Sequence, residues 1–299
     1  MLFRSAFECA LFVVGLALGS FLNVCISRLP RDESVIRPRS HCPACGAFLR
    51  WHDNIPLLSW LLLRRRCRNC GGRISLRYPA VELLTAVLFT ACYLSFGPTL
   101  ATAKFCIFCF LLVGLIFMDA ETGLLPREFT YSGIVLGLVL SWFAPTDSTA
   151  TQFFLRVYGA QLPTHAQLAL LDSVIGALVG AGFFYLAWAL YYLVRKRHGL
   201  GFGDIALMAM VGAFLGLKLT LLVIFSAPLA GTVYAAFLLL ARRFRKKSEM
   251  DEALAGQSSG QETFLAQEFP FGVFLGACAL VAVFFGESIW RWYLGSFQR

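Results

Sequence analysis

Long stretches without a formal charge constrain this chain more than any other feature of its sequence. A helix needs about 20 mainly apolar residues to cross the ~30 Å hydrocarbon core of a bilayer, and eight uncharged, apolar stretches are present. They cover residues 9–27, 83–103, 105–118, 129–146, 173–194, 205–217, 219–241 and 269–286. With 58% hydrophobic and 14% charged residues, the chain also lacks the polar surface that a soluble domain requires. The sequence therefore predicts an all-α polytopic membrane protein with about eight transmembrane helices.

Two of these stretches are shorter than a bilayer requires. The stretch 105–118 can be extended over residues 100–103. A single helix over residues 205–241 would be about 55 Å long at 1.5 Å per residue, so two helices joined by a tight turn are expected there. The first stretch follows a single cation, Arg4, and lacks a small-residue cleavage site, which is typical of a retained span rather than a removed signal peptide.

The distribution of positive charge indicates how the spans are oriented. Twenty of the 26 lysine and arginine residues lie in the loops after the first, third, fifth and seventh spans. By the positive-inside rule these loops are cytoplasmic and both termini lie outside the cytoplasm. A net charge of +9 would suggest nucleic acid as the partner of a soluble protein, but cations between apolar spans set topology and meet anionic headgroups. We therefore expect membrane lipids, and not nucleic acid, as partners.

Two polar segments are expected to connect spans without a chemical role. Residues 147–167 form an extracytoplasmic loop, and residues 248–267, rich in Glu, Gln, Ser and Gly, form a flexible cytoplasmic linker. Asp172 follows the first of these segments and is expected to cap the fifth span on the extracytoplasmic side.

The loop after the first span contains two Cys-x-x-Cys pairs. Their members are Cys42, Cys45, Cys67 and Cys70, and 21 residues separate the pairs. Each pair is followed by a glycine, Gly46 or Gly71, which permits the tight turn of a zinc knuckle. Four thiolates fill the tetrahedral shell of a zinc ion and leave no open position for catalysis. The spacing therefore predicts a structural zinc site.

The cysteine loop is also compatible with roles that differ from a four-cysteine zinc site. The four residues could be unligated, reduced thiols, and the nearby His41 and His52 could replace a cysteine ligand. A membrane thiol oxidoreductase is also conceivable, but such an enzyme keeps its cysteine pairs on the oxidising side of the membrane. Here the charge distribution places them on the reducing, cytoplasmic side.

Two aspartates lie at the ends of spans. Asp119 ends the third span and Asp204 opens the sixth, which runs in the opposite direction. Chain parity therefore places both carboxylates at the same cytoplasmic boundary. Two neighbouring carboxylates share a proton, so one can activate water while the other protonates a carbonyl or a leaving amine. This pair predicts an aspartic peptidase.

The residues alone also allow these aspartates to act without cleaving peptides. Asp204 follows a glycine at a helix start and could simply cap that helix. Carboxylates within spans also relay ions in transporters. A third interpretation is a zinc-bearing scaffold for secretion machinery that has no catalytic activity of its own.

Several motifs resemble those of one enzyme family. Gly201-Phe-Gly-Asp204 at the start of a span, with a second aspartate ending another, resembles the intramembrane aspartyl peptidases. The following segments resemble landmarks of the bacterial type IV prepilin peptidases: Phe21-Leu-Asn-Val24, Arg28-Leu-Pro30, Cys42-Pro-Ala-Cys45-Gly46, Asp53-Asn-Ile-Pro-Leu-Leu-Ser-Trp60, Cys67-Arg-Asn-Cys70, Ile74-Ser-Leu-Arg-Tyr-Pro-Ala-Val-Glu82 and Pro270-Phe-Gly272. The resemblance spans nearly the whole chain.

This resemblance implies a bifunctional enzyme of the bacterial inner membrane. Family members cleave the short, basic leader of prepilins or pseudopilins after a glycine on the cytoplasmic side. They then N-methylate the new terminal residue with S-adenosylmethionine. By motif, Asp119 and Asp204 take the catalytic roles, and the family's cysteine tetrad falls on the four loop cysteines.

The same resemblance divides the chain into three parts and marks two departures. Residues 1–28 form the first transmembrane helix, residues 29–78 the cytoplasmic zinc-binding region, and residues 79–299 the peptidase core. Ala206 stands where family members commonly have lysine, and Arg127 stands where aspartate often follows the proline. No role for charges at these two positions is therefore expected.

Overall fold

Helices form nearly all regular structure in the computed structural model, which describes residues 2–145, 148–157, 163–196, 201–253 and 270–296. The helices are α1 (Leu2–Arg28), α2 (Leu58–Leu62), α3 (Arg77–Phe96), α4 (Leu100–Thr122), α5 (Arg127–Phe143), α6 (Thr149–Val157), α7 (His165–Arg195), α8 (Phe202–Ala253) and α9 (Phe271–Ser296). Two short 3-10 turns, Leu29–Arg31 and Trp51–Asn54, lie in the loop between α1 and α3. No β-strand occurs in these ranges, which confirms the predicted all-α class.

The predicted count of about eight transmembrane helices agrees approximately with the number of apolar helical segments in the structure. Among the described residues, six helices are long and apolar enough to cross a membrane, namely α1, α3, α4, α7, α8 and α9. The α5 helix is equally apolar but only 17 residues long. The α8 helix is interrupted at Gly216, so its apolar part comprises two segments. Counting α5 and both segments of α8 gives the eight apolar segments expected from the sequence.

The chain reverses direction at Gly216. This residue has φ 73° and ψ −179°, a conformation outside the helical region. A Cβ atom on Gly180 of α7 would lie 2.6 Å from the carbonyl oxygen of Met208 and 3.2 Å from a methyl group of Thr220. In a continuous helix these two residues would be about 18 Å apart, so both can meet Gly180 only if the segments fold back on each other. The tight turn predicted within residues 205–241 is confirmed.

The helix ends fall into two groups at opposite ends of the bundle. At one end, Arg77 of α3 donates to Ser27 of α1 and pairs with Glu121 at the end of α4. At the other end, Lys218 pairs with Glu287 of α9 at 2.7 Å. The buried core between these ends consists of apolar side chains from α1, α3, α4, α5, α7, α8 and α9.

Two charged residues that limited the predicted spans lie inside helices. Lys104 is fully buried in α4, where its Nζ atom is 3.5 Å from the carbonyl oxygen of Ala144. Asp172 is 1% exposed and lies in the second turn of α7, where it accepts a hydrogen bond from Thr151. The prediction that Asp172 caps its helix is therefore wrong, since Thr164 caps α7. The opposite charges of Asp172 and Lys104 attract each other, and this attraction offsets part of the cost of burying both.

The two polar connecting segments contain more helix than expected. Residues 149–157 of the predicted extracytoplasmic loop form α6, and residues 165–167 belong to α7. Residues 248–253 of the predicted linker continue α8. Residues 147, 158–162 and 254–267 of these segments lie outside the described residues.

Replacement of Gly216 by alanine is expected to destabilise the fold. Almost no residue other than glycine adopts this backbone conformation, which costs other residues about 1–3 kcal/mol. In addition, a Cβ atom at this position would collide with the Asp172 carboxylate. Gly97→Ala is the matched control, because Gly97 has a similar conformation (φ 66°, ψ −165°) with no atom near its Cβ position. We expect the thermal unfolding temperature in detergent to fall more for Gly216→Ala. An equal fall in both variants would contradict the contact with Asp172.

Candidate active site and metal centre

Asp119 lies in the last turn of α4, where the helix is terminated by a glycine. Gly123 has the left-handed conformation (φ 66°) and its N–H donates to the carbonyl oxygen of Asp119 at 2.9 Å. The Asp119 side chain is 6% exposed. Its Oδ2 atom accepts a hydrogen bond of 2.9 Å from the backbone N–H of Val273. A carboxylate that is unfavourable at the end of its own helix is thus bound by another helix.

That other helix is α9, which begins at Phe271 directly after Pro270. The first amide groups of a helix have no partners within it and carry partial positive charge, so they bind anions. A Cβ atom on Gly272 would lie 2.9 Å from Oδ2 of Asp119. The close approach of this carboxylate to the start of α9 therefore requires glycine.

Asp204 lies in the first turn of α8 and is 8% exposed. Its backbone N–H donates to the carbonyl oxygen of Gly201 at 3.2 Å. Because α8 begins two residues earlier, at Phe202, Asp204 is not the N-cap residue of the helix. The alternative that Asp204 is present only as a helix cap is therefore not favoured.

Leu125 connects the surroundings of the two aspartates. Its Cβ atom is 2.8 Å from the Cβ position of Gly203, and its Cδ1 atom is 3.3 Å from that of Gly272. The starts of α8 and α9 thus pack on one side chain from the segment that follows α4. Asp119 lies against the start of α9, and Asp204 follows Gly203 in the first turn of α8. The structure therefore brings the two predicted site residues together at one end of the bundle.

Val273→Pro removes the hydrogen bond to Asp119 and puts a ring carbon in the place of the donated hydrogen, so the carboxylate must move away from the start of α9. Proline removes the N–H group, yet it is tolerated in the first turn of a helix. A hydrogen bond to a charged group contributes about 1.5–3 kcal/mol, so we expect a decrease in activity of about 10- to 100-fold. Val273→Ala keeps the N–H and is expected to retain activity. Equal activity of the two variants would contradict a role for this bond.

The four loop cysteines lie together. Their sulfur atoms are all within 4.8 Å of one another, and the sulfurs of Cys42 and Cys70 are 3.9 Å apart. A tetrahedral zinc ion with Zn–S bonds of about 2.3 Å keeps its sulfurs about 3.8 Å apart. All ten cysteines of the chain are free thiols. The donor set and its spacing fit one zinc ion.

The two cysteine pairs have the same local structure. The N–H of Gly46 donates to the carbonyl oxygen of Cys42, and that of Gly71 donates to Cys67, both at 2.9 Å. Both glycines have φ +70°. Isolated antiparallel bridges, His41 with Phe48 and Arg66 with Arg73, close the two turns. The chain thus forms two glycine turns that direct their cysteines to one point.

Amide groups around two of the four sulfurs favour the thiolate form that binds metal, whereas the neighbouring sulfurs raise the pKa of Cys70 to about 11. The backbone amide of Ala47 and the side chain of Asn69 donate to Cys45 and lower the pKa of its thiol to about 7. The backbone amides of Cys70 and Asn69 lower the pKa of Cys67. The two nearby histidines do not join the cysteine cluster. Their suggested role as replacement ligands is therefore not favoured.

Polar contacts that sequence reasoning missed connect the cysteine loop to the helices. Glu82 of α3 is 6% exposed, and its Oε2 atom accepts a hydrogen bond of 2.8 Å from the N–H of Leu57. Asn23 of α1 donates to the carbonyl oxygen of Tyr78 at 3.0 Å. Within the loop, Arg68 donates to both oxygens of Asp53 and holds the pKa of that carboxyl below its usual range. Asn23, Asp53 and Glu82 all belong to the segments that resemble the prepilin peptidases. Their position in these segments is the sequence feature that could have predicted their importance.

These features define a helical membrane protein with two buried aspartates at one end of its bundle and a tetracysteine cluster beside α1 and α3. Residues 13–96 match the family model "Bacterial Peptidase A24 N-terminal domain", and residues 106–236 match the "Type IV leader peptidase family". The two matches together include the four cysteines and both aspartates.

Several relatives carry the name "Prepilin leader peptidase/N-methyltransferase". The chain is 42% identical to one from Myxococcus xanthus over 239 residues, which cover 80% of this chain and 65% of the relative. It is 32% identical to one from Aeromonas hydrophila over 313 residues (96% and 93%) and 33% identical to one from Bacillus subtilis over 287 residues (95% and 96%). No solved structure matches the chain. The chain belongs to the type IV leader peptidase family.

Proposed function

We propose that this protein is a membrane aspartic endopeptidase that removes the leader of prepilins or pseudopilins and N-methylates the new terminal residue. The observation that carries the proposal is that Asp119 and Asp204 lie at one end of the bundle, beside the starts of α9 and α8, which pack on the same leucine, Leu125. The names of the relatives supply the substrate class and the second activity.

The surroundings of the two carboxylates suggest a division of labour. Asp119, bound by amides at the start of α9, is the ionised member and takes a proton from water as the water oxygen attacks the scissile carbonyl carbon. Asp204 gives its proton to the carbonyl oxygen. When the tetrahedral intermediate collapses, the carbonyl re-forms and returns this proton to Asp204. Asp119 passes its proton to the leaving amine, so both side chains recover their starting states.

The competing functions are less consistent with these observations. Carboxylates that relay ions typically lie near the middle of the bilayer, whereas Asp119 ends one helix and Asp204 begins another. A scaffold without catalytic activity would not need two buried carboxylates beside each other, because such an arrangement costs stability. The family match also favours the peptidase.

For the cysteine cluster we propose a structural zinc ion bound by Cys42, Cys45, Cys67 and Cys70. Four thiolates leave no open coordination position, so the ion would stabilise the loop and take no part in the cleavage. The methyl donor that we propose is S-adenosylmethionine, which supplies a methyl group to the new terminal amine.

The proposed location is the bacterial inner membrane. The excess of arginine and lysine in alternate loops supports an orientation with the cysteine loop and the aspartates at the cytoplasmic face and both termini outside. We divide the chain into residues 1–28, the first transmembrane helix, residues 29–78, the zinc-binding region, and residues 79–299, the peptidase core.

Incubation of the purified full chain with a prepilin in detergent tests this function. Mass spectrometry should show a single cut that releases the basic leader. Addition of S-adenosylmethionine with a labelled methyl group should place the label on the new N terminus. An intact prepilin would contradict the peptidase, and a cleaved but unlabelled product would contradict the methyltransferase.

Replacement of Cys42 and Cys45 by serine is expected to abolish zinc binding, because a hydroxyl group is a far weaker zinc ligand than a thiolate. Metal analysis should give one zinc ion per wild-type chain and none in the double variant. Cys9→Ser/Cys278→Ser is the matched control, since both of these cysteines lie in helices away from the loop. Equal zinc content in the two double variants would overturn the assignment.

A further inference from the structure

A cavity of about 570 Å³ lies between the end of α1 and the cysteine loop. Its walls include Phe21, Val24 and Arg28 of α1 and Arg39, Arg50 and Trp51 of the loop. Neither aspartate of the candidate active site lines it, and none of the four cysteines does. The proposed cleavage and the proposed zinc site therefore leave this cavity without a role.

The charged groups in the wall of the cavity all have the same sign. Three arginines line it, and no aspartate or glutamate does. Arg28 is 7% exposed, and its Nη1 atom donates to the carbonyl oxygen of Ser34 at 3.0 Å. In the described ranges no carboxylate forms a salt bridge with any of the three arginines. A buried cation is costly unless an anion accompanies it, so the wall favours an anionic ligand.

Most of the remaining wall is apolar, and part of it lies along a membrane-spanning helix. Phe21 belongs to α1, which is long and apolar enough to cross a bilayer, and it is 47% exposed. Trp51 is 78% exposed. Tryptophan is enriched where a membrane protein meets the headgroup layer. A ligand of this cavity therefore has an anionic head and a hydrocarbon part that continues along α1.

We propose that the cavity binds the phosphate-bearing headgroup of an anionic phospholipid, such as phosphatidylglycerol. Guanidinium groups bind phosphate through paired hydrogen bonds. Arg28 comes from α1, whereas Arg39 and Arg50 come from the loop, so the headgroup joins the cysteine loop to the first helix. The acyl chains lie against Phe21 and Val24. This binding site goes beyond the proposed cleavage and methylation.

The methyl donor fits the same cavity poorly. S-adenosylmethionine carries one carboxylate together with an ammonium and a sulfonium group, so its net charge is positive. The wall contains three arginines and no carboxylate, so it repels such a molecule. Soluble phosphate would satisfy the arginines but would leave the exposed apolar wall uncovered. The lipid is the ligand that satisfies both parts of the wall.

The test compares lipid retention by the full chain with that of Arg39→Gln/Arg50→Gln. Both side chains are exposed, so their replacement should leave the fold and the zinc content unchanged. Arg31→Gln/Arg73→Gln is the matched control, because it removes the same charge from exposed positions outside the cavity. Each protein, purified in neutral detergent, is titrated with phosphatidylglycerol or phosphatidylcholine, and bound lipid is counted by native mass spectrometry.

We expect selective retention of phosphatidylglycerol by the wild type and the control. Each cation near a membrane surface strengthens binding of anionic lipid about fivefold, so the cavity variant should bind phosphatidylglycerol about 30-fold more weakly. Equal loss in both double variants, or equal binding of phosphatidylcholine by the wild type, would overturn the site. Displacement of the lipid by millimolar inorganic phosphate would assign the cavity to soluble phosphate, and displacement by S-adenosylmethionine would assign it to the methyl donor; either result overturns the lipid proposal.

Discussion

Replacing Asp119 or Asp204 by asparagine is expected to lower the rate of leader cleavage by about 100- to 10,000-fold, the range that general acid–base catalysis contributes. Asparagine has nearly the shape of aspartate but can neither accept the proton of the attacking water nor deliver one to the carbonyl oxygen. The measurement is the cleavage rate of a prepilin by each purified variant under saturating substrate. Zinc content and the thermal unfolding temperature should remain at the values of the wild type.

The double variant distinguishes a dyad from two independent contributions. Residues that act as one unit are strongly non-additive, so Asp119→Asn/Asp204→Asn should be about as slow as the slower single variant. Glu128→Gln is the matched control, because it makes the same chemical change at an exposed position in the first turn of α5. Retained cleavage in either single variant would remove that aspartate from the mechanism. The effects of two unrelated residues would instead multiply in the double variant.

The common level of these aspartates in the membrane could be predicted because it depends on chain direction alone. Once the spans are counted, the end of the third and the start of the sixth must lie at the same boundary. The turns that hold the four cysteines could also be predicted from the sequence, because each pair forms a local turn that ends in Gly46 or Gly71. Such features need no knowledge of how distant helices pack.

The contacts of Asp119 could not be predicted in the same way. Its hydrogen-bond donor, Val273, is 154 residues away in sequence, and chain direction specifies the level of a residue in the membrane but not its neighbours. Lys104 and Asp172 misled the assignment of span boundaries for a related reason. Each is charged in sequence, but tertiary contacts supply the partners that allow burial inside a helix.

Gly272→Ala is expected to lower the rate of cleavage by disturbing the geometry of the active site, without lowering the stability of the fold. The added methyl group would stand 2.9 Å from Oδ2 of Asp119 and would displace this carboxylate from the start of α9. A displacement of about 1 Å in a catalytic group can cost about 100-fold in rate. Alanine is also favoured over glycine in helices by about 1 kcal/mol, so the variant should unfold at a temperature no lower than that of the wild type.

Gly182→Ala supplies the matched control for this substitution. It makes the same exchange within α7, at a position where no atom lies within 4 Å of the new methyl group. Its cleavage rate should equal that of the wild type, whereas Gly272→Ala should cleave about 10- to 100-fold more slowly. If Gly272→Ala were fully active, the start of α9 would not determine where the Asp119 carboxylate lies during catalysis. A loss of activity accompanied by early unfolding would instead assign Gly272 to helix packing, because in that case the whole contact between α4 and α9 would have been disturbed.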